Sequence, residues 1–189
     1  MSKQYLYKFL DAGLKSHYDG SPWTVGKWRT VPEPTVECLG LNASRYVSDA
    51  LGYVRGVVLA KVEVGGKIIK GDDKWTCEKM RLVAVADWGK EHSLRMAIFA
   101  ARSCLDKFEQ KYPGNDKPRK AIEAAEAVLA NDTKENRNAA AAAAAADAAA
   151  AYAYAAAAAY AAYADDDAYD AAKRRIHRYC LSLVTWRTI

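Results

Sequence analysis

GVVLAKVEV, residues 56–64, alternates between apolar positions and positions that include charged side chains. The even positions from 58 to 64 are Val, Ala, Val and Val, whereas the odd positions include Lys61 and Glu63. Successive side chains of a strand point to opposite faces, so this pattern predicts a half-buried strand. One face of the strand is apolar and must be buried in a core, and the opposite face includes polar side chains.

Two other strand-like runs lie on either side of this stretch. They are YLYKFL at 5–10 and MRLVAVADW at 80–88, and clusters of Gly, Pro and Asp separate them. SPWTVGKWRTVPEPTVE at 21–37 carries three prolines and two tryptophans, which predicts an extended loop or edge segment with a large aromatic surface. SRYVSDALGYV at 44–54 has apolar residues at helical spacing, which predicts one short helix with Ser44 as its N-cap.

From Trp88 onward, the apolar residues follow the period of a helix. One stripe steps by four, three, four and three residues and predicts a helix over 91–112; it consists of Leu94, Ile98, Ala101, Leu105 and Phe108. PGNDKP at 113–118 ends that helix, and Asp116 is expected to cap the next one with Pro118 in its first turn. A further turn at 131–133 offers Asp132 or Thr133 as a third cap.

The segment 139–164 is alanine except for one aspartate and four tyrosines. Alanine has the highest helix propensity, so the segment predicts a long helix. Because methyl groups fill little space, neighbouring backbones must approach closely, with Tyr152, Tyr160 and Tyr163 filling wider gaps. The tract is interpreted as a structural hairpin, and its tyrosine face could equally close against a second copy of the chain.

These patterns predict an α+β protein in two parts. Residues 1–88 are expected to form a small mixed α+β domain, and residues 89–189 an alanine-rich helical bundle or hairpin. In the last helix, Asp170 is placed to pair with Lys173 or Arg174.

Composition narrows the function classes. The 189 residues include 28 Lys and Arg and 23 Asp and Glu, which gives a net charge of +5. This charge permits only weak attraction to nucleic acid. The four cysteines and three histidines lack metal-ligand spacing, which argues against a zinc site. The N-terminal sequence lacks the pattern of a secretory signal, and no strongly apolar run is long enough for a membrane span. The sequence therefore predicts a cytoplasmic location, in the host cytoplasm if a phage encodes the protein.

The segments YKFLDAG at 7–13, ECLGLNAS at 37–44, VEVGG at 62–66 and GDDKW at 71–75 carry a first resemblance. With a Trp-containing middle, they resemble an uncharacterised domain family of phage and bacterial proteins. That family's central motif is usually Gly-Leu-His-Ala, whereas residues 40–43 here are Gly-Leu-Asn-Ala.

The same stretch is more distantly similar to the NAD-binding core of ADP-ribosyltransferases of the poly(ADP-ribose) polymerase type. The family's glycine-containing segment matches residues 40–44, and its serine and tyrosine match Ser48 and Tyr53. The resemblance implies NAD binding and a catalytic glutamate, for which Glu78 stands in the right order. Lys8 stands where the family has a His-Gly pair, and Asn42 where it has a tyrosine.

FEQKYPGNDKPRKAIEAAEAVL at 108–129, followed by the alanine-rich segment, carries a second resemblance. This part of the chain resembles a helical module described in bacteria as a putative immunity protein. Asp116, Pro118, Arg119 and Ile122 carry the match. Histidines that are usual in that family's alanine-rich helices are replaced here by tyrosines and aspartates.

These features predict a phage-type accessory protein that acts by stoichiometric binding to a protein target, without a cofactor. The target is expected to be a bacterial defence complex, which places the protein in the anti-CRISPR or anti-restriction class. The alternative is an NAD-dependent ADP-ribosyltransferase-like enzyme, with Tyr53, Glu78 and Ser48 as its catalytic residues. For protein binding, tryptophan beside arginine is typical of interface hot spots, and a basic cluster on the last helix offers a second surface. The candidate binding residues are Trp23, Trp28, Arg29, Trp75, Lys173, Arg174, Arg175 and Arg178.

Overall fold

The computed structural model describes residues 4–146 and 166–188. Over these residues, five helices and one antiparallel six-stranded sheet confirm the predicted mixed α+β class. In chain order the elements are β1 Tyr5–Leu10, β2 Arg29–Thr30, β3 Leu41–Ala43, α1 Val47–Tyr53, β4 Val58–Lys70, β5 Trp75–Asp87, α2 Lys90–Lys111, α3 Lys117–Ala130, α4 Lys134–Ala146, α5 Asp166–Ser182 and β6 Arg187–Thr188.

A long hairpin of β4 and β5 forms the centre of the sheet. Its register runs from Val58 opposite Asp87 to Lys70 opposite Trp75, with irregularities after Lys61 and after Gly65. The strand continues past the predicted stretch 56–64, because Gly66 adopts a positive φ of 71° and absorbs the second irregularity. The β1 strand pairs with β4, while β2, β3 and β6 all pair with β5.

The apolar face predicted from the alternation is the core of this sheet. Val58, Ala60, Val62 and Val64 are all buried, and they pack in one cluster with residues of β1, β3 and β5. Lys61 and Glu63 lie between them on the opposite face. The prediction from the local pattern is therefore confirmed.

The predicted N-cap of the first helix is wrong. The α1 helix starts at Val47 after Tyr46, and no side chain caps it. The backbone of Ser44 instead exchanges two hydrogen bonds of 2.8 Å with Tyr7, which makes Ser44 part of an isolated antiparallel bridge to β1. Pairing to a strand more than thirty residues away outweighs the local capping preference of serine.

The chain divides into two units. The first consists of Met1–Gly89 together with Cys180–Ile189, and the second consists of Lys90–Tyr179. This division differs from the prediction, which placed residues 89–189 in one helical domain, because the last ten residues belong to the first unit. The β6 strand pairs with Ala84 and Val85 of β5, and Arg187 forms an ion pair of 2.7 Å with Asp87. A two-residue strand carries too little periodicity to be predicted from sequence.

In the second unit, α2 and α3 pack through the predicted stripes. Ile98, Leu105 and Ile122 form a buried cluster. Two ion pairs, Arg102 with Glu126 and Arg119 with Glu109, connect the helices at their exposed sides. The α4 helix covers the start of the alanine tract to Ala146, whereas Asp147 and the tyrosines at 152, 160 and 163 lie outside the described residues.

Thr133 is the cap of α4, as predicted for this turn. The backbone N–H of Asn136 donates to Thr133 Oγ1 over 3.1 Å. Thr133→Ala is expected to lower the free energy of unfolding by about 1 kcal/mol, since one N–H of the first turn loses its acceptor. Urea unfolding measures the change. Thr133→Ser keeps the hydroxyl and should retain most of the stability, so an equal loss in both variants would contradict the capping role.

No helix within residues 4–146 and 166–188 is long and apolar enough to cross a membrane. The predicted cytoplasmic location stays a prediction.

Candidate functional site

A cavity of about 600 Å³ lies in the first unit. It is bounded by β1, by the loop that leads to β2, by the segment around β3 and by the end of α1. Its volume falls within the usual range for small-molecule sites. Much of its lining is apolar, and the residues that matter to its chemistry are Lys8, Trp23, Arg29, Asn42, Ser44 and Tyr53.

Lys8 occupies a position that the strand pattern would give to an apolar residue. Leu6 and Leu10, two positions away on either side, are fully buried, and Lys8 lies opposite buried Ala60 in the register. Its Nζ is 4.5 Å from the centroid of the Trp23 ring. Burial, and next the charge of Arg29, lower the pKa of the Lys8 ammonium to about 8.

Arg29, at the start of β2, brings a second cation to the same ring. Its Cζ lies 5.0 Å from the Trp23 centroid, and its Nη2 lies 3.5 Å from Asp19 Oδ2. Asp19 also accepts hydrogen bonds from the Ser21 hydroxyl and N–H, and these bonds lower the pKa of its carboxyl group. The Arg29 guanidinium therefore has one long contact with a carboxylate, which compensates little for the water that its charge loses.

Trp23 is held in place beside the two cations. Its side chain is buried, and its indole N–H donates to Ser16 Oγ over 2.8 Å. Its backbone N–H donates to the Leu14 carbonyl over 2.8 Å. Two cations close to one indole are attracted by the ring, which offsets part of their mutual repulsion.

Two buried side-chain atoms at this cavity lack a hydrogen-bond partner among the described residues. They are Arg29 Nη1 and Ser44 Oγ. An unsatisfied buried polar group costs about 1–3 kcal/mol, and more when it is charged. Both atoms belong to residues that line the same cavity. Neither atom is itself accessible, so a ligand with oxygen acceptors would offset both costs by drawing these two side chains toward it.

Asn42 and Thr76 brace the wall formed by β3. The Thr76 hydroxyl donates to Asn42 Oδ1 over 2.7 Å and accepts from the Cys38 N–H over 2.9 Å. Asn42 Nδ2 donates to the Gly40 carbonyl over 3.2 Å. A Cβ atom at Gly40 would lie 2.7 Å from Thr76 Cγ2, so a glycine is required for this approach.

Tyr53, at the end of α1, also lines the cavity. Its side chain is exposed, and its hydroxyl donates to Asp73 Oδ1 over 2.7 Å. This hydrogen bond is the main reason why the pKa of Tyr53 rises to about 12. Lys74 Nζ lies 4.2 Å from the ring centroid on the same side.

No family model, curated protein or solved structure matches this chain. Both resemblances drawn from the sequence therefore stay predictions.

One of the three residues predicted as catalytic lines the cavity. Tyr53 lines the cavity, whereas Ser48 and Glu78 are absent from its lining. Glu78 lies in β5 between Cys77 and Lys79, where the register with β4 is irregular. Its carboxylate accepts the Lys67 N–H over 3.0 Å, at the irregular part of the hairpin. NAD binding and the catalytic roles of these three residues stay predictions.

The predicted aromatic binding surface is also divided. Trp23 and Trp75 are buried, while Trp28 is 41% exposed with Arg81 stacked over it at 4.8 Å. Arg29 faces Trp23 instead of forming a continuous surface with Trp28. Trp23 and Trp75 fill the core of the small sheet, so little of either side chain is accessible to a partner, and their binding role stays a prediction.

The predicted basic cluster lies on α5, in the second unit up to Tyr179. Arg174 forms the predicted ion pair with Asp170 at 2.5 Å. Arg175 and Arg178 are exposed, and Lys173 is partly buried.

The sequence alone predicts no ligand-binding role for Lys8 or Ser44. A signal for Lys8 was present, since YLYKFL places a lysine at the centre of an otherwise apolar face. Ser44 offered no such signal, because its burial depends on the bridge to Tyr7. Among the described residues, no cluster of His, Cys, Asp and Glu could hold a metal ion.

Proposed function

We propose that this protein binds a small organic anion in the cavity around Trp23. One observation carries the proposal: the two buried polar atoms without a partner, Arg29 Nη1 and Ser44 Oγ, belong to residues of the same cavity. The Arg29 guanidinium suits a carboxylate or phosphate, because its N–H groups match the spacing of two oxygens.

Charge around the ring supports an anionic ligand. Lys8 and Arg29 place two cations against one indole, and Asp19 is the carboxylate that pairs with Arg29. The apolar remainder of the lining, which includes Phe9, Val31 and Leu41, favours a ligand with an organic body.

Benzoate is expected to bind this cavity, and its uncharged analogue benzamide is expected not to. Isothermal titration calorimetry measures both. Arg29→Met should weaken benzoate binding at least about tenfold, since hydrogen bonds to charged groups contribute about 1.5–3 kcal/mol. Equal binding of benzamide would refute the requirement for charge.

Lys61→Met is the matched control for this experiment. Lys61 also has its Nζ close to an aromatic ring, 4.4 Å from the centroid of Tyr5, but it does not line the cavity. This variant should bind benzoate like the parent protein. A comparable loss of affinity would show that benzoate responds to the overall charge of the surface.

A second proposal is the stoichiometric binding of a protein target, with inhibition of a bacterial defence system as its outcome. Trp28 favours it, because this tryptophan is 41% exposed with an arginine stacked over it. The exposed side chains of Val36 and Leu39 add apolar surface in the same unit. This function and its macromolecular partner rest mainly on Trp28, because Trp23 and Trp75 are buried.

A further inference from the structure

We infer that Lys8 is an amine nucleophile that forms an imine with a small carbonyl-containing carboxylate, an oxo acid, in the cavity. This inference rests on the proposed anion site and names the class of ligand that it takes. It depends first on the surroundings of the Lys8 amine and then on the position of Arg29.

Lys8 has no hydrogen-bonded carboxylate to hold it in the ammonium form, although the charge of Asp19 raises its pKa in part. Among the described residues, its Nζ makes no hydrogen bond and no ion pair, and its close neighbour is the Trp23 ring at 4.5 Å. Lys67 and Lys120 show the usual alternative, with carboxylate oxygens of Glu33 and Asp116 at 2.7 and 2.8 Å. A partly buried lysine without such a partner is converted more easily to the neutral amine.

Arg29 strengthens this effect. Its guanidinium and the Lys8 amine approach the same ring, so repulsion between the two charges favours loss of the lysine proton. Burial first and this repulsion second lower the pKa of Lys8 to about 8, against the smaller opposite effects of Asp19 and Cys77. A neutral amine is the form that attacks a carbonyl carbon.

The arrangement also selects the ligand. A carboxylate held by Arg29 would place an adjacent carbonyl group beside Trp23, on the ring that Lys8 approaches. Ser44 Oγ, buried and without a partner, is a further donor at the same cavity. An oxo acid joins a carboxylate to a carbonyl group, so it matches both the cation and the nucleophile.

The reaction is balanced without an oxidant or a cofactor. The Lys8 nitrogen attacks the carbonyl carbon with its lone pair and forms a carbinolamine. The carbon–oxygen bond then breaks, and the oxygen leaves as water with the two protons that the amine carried. A carbon–nitrogen double bond remains, and added water reverses the reaction.

Reductive trapping with pyruvate and sodium cyanoborohydride at pH 7 tests the inference. Intact-mass and peptide mass spectrometry should find one reduced adduct, on Lys8, formed at least about tenfold faster than on any other lysine. Arg29→Met should slow the reaction with pyruvate to the rate of hydroxyacetone, a ketone without the carboxylate. Lys8→Arg should abolish the rapid adduct, and Lys61→Arg should leave it unchanged.

The outcomes separate this inference from the proposed function. Benzoate binding without preferential labelling of Lys8 would overturn the imine and leave the anion site in place. Loss of both would overturn both. Rapid labelling of Lys8 by hydroxyacetone and pyruvate alike would reject oxo acids as the selected class. Because the adduct is mapped in the unmodified protein, the result does not depend on the folding of any variant.

Discussion

Gly56→Ala is expected to lower the free energy of unfolding by about 3 kcal/mol, the largest effect of a single methyl group that we predict. A Cβ atom at this position would lie 2.3 Å from the Leu10 carbonyl oxygen and 2.8 Å from its carbonyl carbon. These are backbone atoms, so they cannot rotate away as a side chain can. The clash would separate β1 from the start of β4, where the Val57 N–H donates to the same Leu10 oxygen over 3.0 Å.

Gly52→Ala is the matched control for this change. Gly52 lies within α1, and nothing is within 4 Å of the Cβ atom that the substitution would add. Alanine should therefore stabilise this position by up to about 1 kcal/mol, because it restricts the unfolded chain and favours the helix. Urea unfolding followed by tryptophan fluorescence compares the variants. A Gly56→Ala protein as stable as its parent would contradict the close contact between β1 and β4.

Lys8→Met is expected to stabilise the protein at pH 7 by roughly 2–3 kcal/mol and to abolish formation of the imine. The pKa of Lys8 falls from 10.5 to about 8 on folding, mainly through burial. Below about pH 8 both the folded and the unfolded chain carry the proton, so the cost of burying the charge is fully present. Between that pH and 10.5 the folded chain loses its proton first, and the cost is progressively removed.

The free energy of unfolding of the parent protein should therefore rise relative to Lys8→Met as the pH increases from about 8 to 10.5. Denaturant unfolding across this range measures the difference. The difference cancels titrations that both proteins share, including those of the 12 tyrosines. Lys8→Arg stays charged throughout and should not show the rise. Parallel pH dependences of the parent and Lys8→Met would mean that folding does not perturb Lys8.

The residue at position 8 that would give the highest stability is not one that could perform the proposed chemistry. Methionine would fill the same space among Leu6, Leu10 and Ala60 without a buried charge, but it has no nucleophile. A residue that costs stability where an apolar residue would fit is typical of a functional site. The stability of Lys8→Met and its lack of labelling are thus two independent measurements on one position.

The local patterns that repeat over the most residues give the most accurate predictions of structure. The alternation at 56–64 predicts β4 and its buried face, and the helical stripe from Leu94 to Phe108 predicts α2. Both span several turns or pleats, so every repeat supports the same assignment. Thr133 is predicted for a similar reason, since a cap acts on an N–H only three residues away.

The cavity could not be predicted in this way. Lys8, Trp23 and Arg29 are separated by as many as 21 residues in sequence. They meet because β1 pairs with β4, while β2 pairs with β5 in the same sheet. Strand register decides such contacts, and register depends on pairing between distant segments.

The sequence by itself determined the mixed α+β class, the apolar face of β4 and the main helices, because hydrophobic period and capping act between residues close along the chain. Only the tertiary structure decided that Ser44 bridges to Tyr7, that Tyr53 but not Glu78 lines the cavity, and that Lys8 and Arg29 share one indole. Those relations depend on which strands pair and in which register. Their free energy comes from burial and hydrogen bonds between distant segments, and no local pattern encodes it.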